Sequence, residues 1–256
     1  FADEFDTSGP VDWDAWRPIL EKRHDSRQTD REKNVRVEGG NLVIEAHKEQ
    51  YKDVAALVVD AQGSNASLSK TPQVATRAGF RLRGQSSSNF EKAPYRLELW
   101  DNEGKDADYP LLNMPGDGDW ALRGPFPDKS LIRDAFAYGI GREMGLAAPR
   151  YAFVELYLNL DGQPMAANDY QGVYLLVETI ERSKDRVNVT KLKETELNEP
   201  EITGGYIMQF NWMATEPPVI PCPSGTTQCW SDLELVEPKE PPQAQITWIS
   251  NYIQKF

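Results

Sequence analysis

Residues 81–98 read Arg81-Leu-Arg-Gly-Gln-Ser-Ser-Ser-Asn-Phe-Glu-Lys-Ala-Pro-Tyr-Arg-Leu-Glu98. An alternating strand, Gly79 to Arg83, runs into a Gly/Gln/Ser/Asn turn, and a second strand, Tyr95 to Trp100, leaves it with Lys92 just upstream. A turn that carries Ser86 and Ser87 between Arg83 and Lys92 gathers backbone N–H groups, hydroxyls and positive charge in one place. Those are the groups that hold a phosphate. The same composition also makes an ordinary hairpin turn.

Downstream, Leu111-Leu-Asn-Met-Pro-Gly-Asp-Gly-Asp-Trp120 is a turn cluster leading to Trp120–Arg123. Asp117-Gly-Asp119 is read as part of that turn. Gly124 to Ser130 precedes a helix in which Ile132, Phe136, Ile140 and Met144 recur every fourth residue, and Gly145 supplies the stop. Arg133 sits in its first turn, where the positive end of the helix dipole disfavours a cation unless an anion is near. Residues 152–160 alternate with Val154, Leu156, Leu158 and Leu160 on one face. Residues 172–180 place Val173, Leu175 and Val177 on one face and Tyr174, Leu176 and Glu178 on the other. A strand apolar on both faces is central, so Glu178 is expected to be partly buried, with Arg83, Lys92 or Arg186 as its cationic partner.

Upstream, Asn34-Val-Arg-Val-Glu-Gly-Gly-Asn-Leu-Val-Ile-Glu-Ala46 is a hairpin pattern about a Gly-Gly turn. Together with Asp3-Glu-Phe-Asp6 and Trp16 it resembles the first strands of family-sixteen glycoside hydrolases, the laminarinase-type jelly rolls. The Glu-x-Asp-x-x-Glu pattern that carries that family's paired carboxylates occurs nowhere in the chain, so hydrolysis does not follow. The expected organisation is a strand-rich segment over 1–55 and one larger domain over 56–256.

The 256 residues carry 28 Lys+Arg against 40 Asp+Glu, a formal charge of −12, which argues against a broad footprint on nucleic acid and makes any phosphate site a local basic pocket. No apolar run is long enough to span a bilayer. Cys222 and Cys229 close a short polar loop with Gly and Pro; a disulfide is the expected reading, and it favours an extracellular or cell-surface setting. His24 and His47 lie far from them in sequence, so a zinc site is not expected. The chain opens on Phe1, and Ile249, Tyr252, Ile253 and Phe256 still follow a helical pattern, so it is expected to be a piece of a longer protein.

The order of the motifs is more specific than any one of them. Arg83-Gly-Gln-Ser-Ser-Ser, Phe90-Glu-Lys92-Ala-Pro-Tyr-Arg-Leu-Glu-Leu, Leu111-Leu-Asn-Met-Pro, Asp119-Trp-Ala-Leu and Gly124-Pro-Phe-Pro-Asp-Lys-Ser-Leu-Ile-Arg-Asp-Ala come first. Met144-Gly-Leu-Ala-Ala-Pro-Arg, Phe153-Val-Glu-Leu-Tyr-Leu-Asn, Gly172-Val-Tyr-Leu-Leu-Val-Glu-Thr-Ile, Lys184-Asp-Arg-Val-Asn and Gly204-Gly-Tyr-Ile follow. Over roughly residues 58–256 this succession resembles the CotH kinase family, named for a spore-coat protein. The resemblance implies an α+β fold, an atypical protein-kinase-like mixed sheet with packed helices, here preceded by the strand-rich segment. It implies ATP and Mg2+ as cofactors, a nucleotide and a Ser-rich protein substrate as partners, and phosphorylation of Ser on surface or coat proteins. Lys92 matches the first lysine of the family's Phe-Pro-Lys-Lys motif, and Arg83 matches the arginine before its Ser-rich turn. Glu178 is implied as the carboxylate that positions the lysine, and Arg133 as a further phosphate-facing cation, beside the turn residues Ser86 and Ser87. Such cations would neutralise nucleotide phosphates.

Three departures accompany the resemblance. Ala93 stands where the family has a second lysine. The hairpin between Asn159 and Gly172 is longer than expected. The family's metal-binding aspartates, in an Asn-x-Asp and a later Trp-Asp-x-Asp segment, lie beyond the helix that corresponds to Ile246–Phe256, so no metal ligand or catalytic residue is assigned and the fragment is expected to be inactive alone. Asp185 to Asn188 echoes a kinase catalytic loop at too short a spacing. The alternative to a kinase is a non-enzymatic adhesin or carbohydrate-binding module, which an exposed aromatic platform near Trp13 and Trp16 would favour.

Overall fold

The computed structural model describes residues 9–10, 35–38, 41–44, 51–61, 63, 66–67, 71–84, 86–210, 220 and 233–255. Trp13, Trp16, Cys222 and Cys229 lie outside them, so the expected disulfide and the segment that would favour the adhesin reading do too. In chain order the strands and helices are β1 (Gly9–Pro10), β2 (Val35–Glu38), β3 (Asn41–Ile44), β4 (Lys52–Val58), β5 (Val74–Leu82), β6 (Tyr95–Trp100), β7 (Tyr109–Leu111), β8 (Met114–Asp117), β9 (Asp119–Arg123), α1 (Arg133–Glu143), β10 (Tyr151–Tyr157), β11 (Tyr170–Glu178), β12 (Ile207–Phe210), β13 (Leu233–Glu237) and α2 (Gln243–Ile253). The class is α+β. The chain divides into two compact units, residues 1–137 with 150–177, and residues 138–149 with 178–256.

In the first unit the hairpin expected over 34–46 is present: β2 and β3 pair antiparallel from Val35↔Ile44 to Glu38↔Asn41, and β1 pairs with β2. The main sheet has six strands in the order β10-β11-β9-β6-β5-β4. Pairings β10/β11, β9/β6, β6/β5 and β5/β4 are antiparallel. The expected boundary between residues 55 and 56 falls inside β4, the edge strand that pairs with β5 from Val58↔Val74 to Lys52↔Phe80. β5 begins at Val74, earlier than the alternation starting at Gly79 indicated. Its inward positions there are Val74, Thr76 and Ala78, all buried but mostly small, so the apolar signal is weak. The Thr76 hydroxyl donates to the Trp100 carbonyl across the sheet.

The core of this unit gathers Leu97, Leu99, Leu111, Trp120, Leu122, Tyr174 and Leu176, with Phe80, Tyr95, Val154 and Leu156 packed against it. β11 is interior, as its two apolar faces required. The expected turn cluster at 111–120 is a short hairpin, β7 with β8. Its two linking residues, Leu112 (φ 49°) and Asn113 (φ 66°), both take the left-handed conformation that a tight two-residue connection demands. Gln73 Oε1 accepts the Leu112 N–H at 3.0 Å and helps hold it there.

Asp128 starts α1: its Oδ2 accepts the Arg133 N–H at 2.8 Å, and its Oδ1 accepts from the Ser130 N–H and hydroxyl. Gly145 (φ 81°) ends it, with Gly145 N–H donating to Arg142 O and Leu146 N–H to Gly141 O, the paired bonds of a left-handed helix cap. The fourfold stripe is real but faces outward: Ile132, Phe136, Ile140 and Met144 are 54%, 66%, 43% and 72% exposed, while Ala135 is buried. At Gly141 an added Cβ would lie 3.0 Å from Ala148 Cβ. Within the helix only Ala135 and Gly141 are buried.

The second unit has its own core, in which Ile220, Leu233, Leu235 and Ile249 pack with Tyr206, Met208, Ile246 and Trp248. β12 and β13 pair antiparallel, and α2 brings Tyr206, Trp248 and Tyr252 into a near-parallel ring stack. Buried Gln245 donates through Nε2 to the carbonyls of Lys193 (2.7 Å) and Glu196 (3.1 Å), anchoring that turn to the helix. No helix among the described residues is long and apolar enough to cross a membrane.

Candidate functional site

The loop from β5 to β6 is closed at its neck by the Arg83 N–H, which donates to the Pro94 carbonyl at 2.9 Å. Gly84 (φ 90°) turns the chain into a short 3-10 segment, Ser86–Asn89, and the Phe90 N–H donates to Ser87 O at 3.2 Å. Ser87 is half-buried. The Phe90 ring stacks on Phe126 (5.5 Å between centroids), joining this loop to the segment after β9, and Lys129 Nζ lies 4.8 Å from the centroid of the Phe126 ring.

Lys92 is half-buried at the end of that loop. Its ammonium lies over the Tyr174 ring, 4.9 Å from the centroid. An added Cβ at Gly172 would sit 3.0 Å from Lys92 Nζ. One at Gly124 would run into the Lys92 carbonyl and lie 3.0 Å from both Lys92 Cγ and Tyr174 Cε1. Two missing side chains, one on β11 and one after β9, make the space this lysine occupies. Among the described residues no carboxylate comes within ion-pair distance of its ammonium. Burial pushes the lysine below its ordinary value of 10.5. Burial also pushes the Tyr174 hydroxyl well up, with Tyr95 adding to the effect, so the ring under Lys92 is a neutral phenol. Ala93 is buried, which leaves a second lysine at that position nowhere to extend without displacing core.

The other residues singled out from sequence are placed as follows. Arg133 is 81% exposed at the start of α1, and the anion beside it is the protein's own Asp128, with Nε 3.5 Å from Oδ1. The bond from the Ser130 hydroxyl, then that from the Arg133 N–H, holds the Asp128 carboxyl below the usual range. Arg123 Nε donates to Asp134 Oδ2 at 2.7 Å and ties β9 to the helix. Glu178 is buried on the same face of β11 as Tyr174, four residues and therefore about 13 Å further along the strand. With Thr179, Arg142, Pro149, Asp185 and Arg186 it lines a small cavity in the second unit. Arg186 is committed there: its side chain is 4% exposed, pairs with Glu181 and donates to Thr179 Oγ1 at 2.5 Å. Asp119 sits where β9 begins and pairs with Arg96 at 2.7 Å, and Asp117 Oδ1 accepts the Asp119 N–H, which is the turn expected there.

The structure thus brings Lys92 together with Tyr174, Gly172 and Gly124, none of which was given a role from sequence. All three stood in quoted motifs, at Gly172-Val-Tyr174 and Gly124-Pro-Phe, but nothing local marks them as neighbours of a lysine 32 to 82 positions away.

No curated protein matches the chain. A family model described as CotH kinase protein matches residues 80–256, from within β5 through α2, and so takes in Lys92, Gly124, Gly172, Tyr174 and Glu178. With that match over more than half its length, this chain belongs to the CotH kinase family.

Proposed function

We propose that the chain carries the nucleotide-binding part of an atypical protein-kinase-like domain, and that Lys92 holds the phosphates of ATP for transfer to a serine on a surface or coat protein. The observation that carries the reading is a half-buried lysine, its ammonium over the Tyr174 ring, with no carboxylate partner among the described residues. A cation taken partly out of water without an anion is unfavourable alone; a phosphate oxygen is the group that compensates it. ATP fits this donor set. It supplies the phosphoryl group, and the chain's part is to neutralise and orient it. Ser87 stands as a further donor, and Arg83 as a second cation. Asp119 pairs with Arg96 through Oδ1, and Asp128 accepts from Ser130 and Arg133. The proposed setting is extracellular or at the cell surface, supported by the Cys222–Cys229 spacing alone.

Calorimetric titration of MgATP into the protein and its Lys92→Ala variant tests this. A charge-assisted hydrogen bond to phosphate contributes about 1.5–3 kcal/mol, so the variant should bind roughly 10- to 150-fold more weakly. Equal affinity of the two proteins would remove Lys92 from the nucleotide site.

A further inference from the structure

We infer that Tyr174 and Gly172 are positioning residues for Lys92: together they hold its half-buried ammonium unpaired with any carboxylate among the described residues and available to an oxyanion. The identity of that oxyanion as an ATP phosphate rests on the reading above; the positioning does not.

The ring comes first. A carboxylate beneath Lys92 would cancel its charge and occupy its N–H donors. An aromatic face attracts the cation through the ring quadrupole and leaves both the net charge and the donors for a ligand. Tyr174 is 1% exposed and packs in the core cluster, so its ring is held in place by its neighbours. Its ring centroid is 6.1 Å from that of Tyr95, which stacks on Phe80 at 4.6 Å, so the platform is continuous with the core. Because burial pushes its hydroxyl upward, Tyr174 stays a neutral phenol across the working range of pH.

Gly172 is the second element. It takes φ 91°, a conformation that L side chains avoid. Its missing Cβ is the space beside the ammonium, 3.0 Å away. The sheet locally departs from regular pairing here: Leu156 faces Gly172, but Tyr157 faces Tyr170, so the intervening Gln171 is extra. A bulge of this kind re-aims a strand locally and is found next to functional positions. Gly124 completes the clamp by admitting the backbone and Cγ of Lys92. The stem is gripped, one face of the head rests on a ring, one side lies against bare backbone, and no carboxylate among the described residues is near enough to draw it away.

The test reads Lys92 itself. Lysine side chains labelled with 13C and 15N are followed by NMR through a pH titration, with Lys92 assigned from the signal absent in Lys92→Arg. In the wild type, the Lys92 Hε resonances should lie upfield of those of exposed Lys239 and Lys255, because they sit over a ring face, and should titrate at lower pH. Tyr174→Phe keeps the ring and should keep both signatures. Tyr174→Leu should lose the upfield displacement, and Gly172→Ala should shift the Hε resonances. Lys92 resonating and titrating with the exposed lysines in the wild type would overturn the inference, as would an unchanged displacement in folded Tyr174→Leu. If Tyr174→Leu does not fold, the wild-type spectrum and Gly172→Ala decide alone. MgATP titration of the same wild-type sample separates the two claims: the NMR signatures without nucleotide binding leave the positioning standing and remove the phosphate reading.

Discussion

Gly124→Ala probes the steric basis of the lysine site with a single methyl group. The backbone of Gly124 is not in the left-handed region, so alanine adds no conformational strain of its own. Its Cβ would meet the Lys92 carbonyl inside van der Waals contact and stand 3.0 Å from Lys92 Cγ and from Tyr174 Cε1. Carbon atoms at rest are about 3.5–4.0 Å apart, so the segment after β9 and the Lys92 loop must separate by roughly 0.5–1 Å. No rotamer change relieves a clash with a backbone oxygen. Overpacking of this kind costs about 1–3 kcal/mol. At about 2–4 °C per kcal/mol for a unit of this size the melting temperature should fall by roughly 2–12 °C. Lys92 moves with its backbone. Losing half of a charged hydrogen bond of about 1.5–3 kcal/mol should weaken MgATP binding by roughly 3- to 10-fold.

The matched control is Gly204→Ala, where an added Cβ meets nothing within 4 Å and φ is −123°. That substitution should be neutral or stabilise by about 0.4–1 kcal/mol through the unfolded chain. Differential scanning calorimetry of both variants, with nucleotide titration well below the transition, reads the two consequences separately. If Gly124→Ala melts with Gly204→Ala and binds MgATP like the wild type, the close packing of Gly124 on Lys92 is refuted.

Three further outcomes follow from the same structure. Lys92 loses its proton below pH 10.5, so MgATP affinity should fall as pH rises through that lowered value, while Lys92→Arg should hold a flatter profile; in the same window the unfolded chain keeps a proton the folded one has lost, so stability should rise with pH. Asp128 is depressed below 3.8, so its contribution is present above that value and lost as pH falls through the folded one: Asp128→Asn should melt below the wild type at pH 7, with the gap closing in acid. Trp120 is fully buried and donates from Nε1 to Asp117 O at 2.9 Å, so Trp120→Phe should cost about 1–3 kcal/mol in urea unfolding.

Alternation made much of the main sheet legible. β6 begins and ends where the pattern of Tyr95–Trp100 does, and the hairpin of β2 and β3 follows its apolar pairs. Legibility failed where small or unusual residues carry the structure. β5 buries Val74, Thr76 and Ala78 on its inner face, a pattern too weakly apolar to announce a strand. The β7–β8 hairpin turns on Leu-Asn in place of the Asn-Gly that such a turn favours. In α1 the fourfold period identified residues sharing a face but not the side covered by protein; Ala135 is buried while Phe136 is exposed. Periodicity carries no information about which face has a partner.

The site shows the same division in sharper form. Lys92 was legible because a cation beside a Gly/Ser turn is a chemical signal, and Glu178 because a carboxylate in an apolar strand is one. Their surroundings were not. The sequence suggested an opposite charge as the natural company for Lys92, whereas the ammonium lies over an aromatic ring and against a glycine. An ion pair would have made the lysine a strut within the fold. A ring face and an absent side chain leave it partly dry with no carboxylate partner among the described residues, and such a deficit is what a phosphate would compensate under the proposed function.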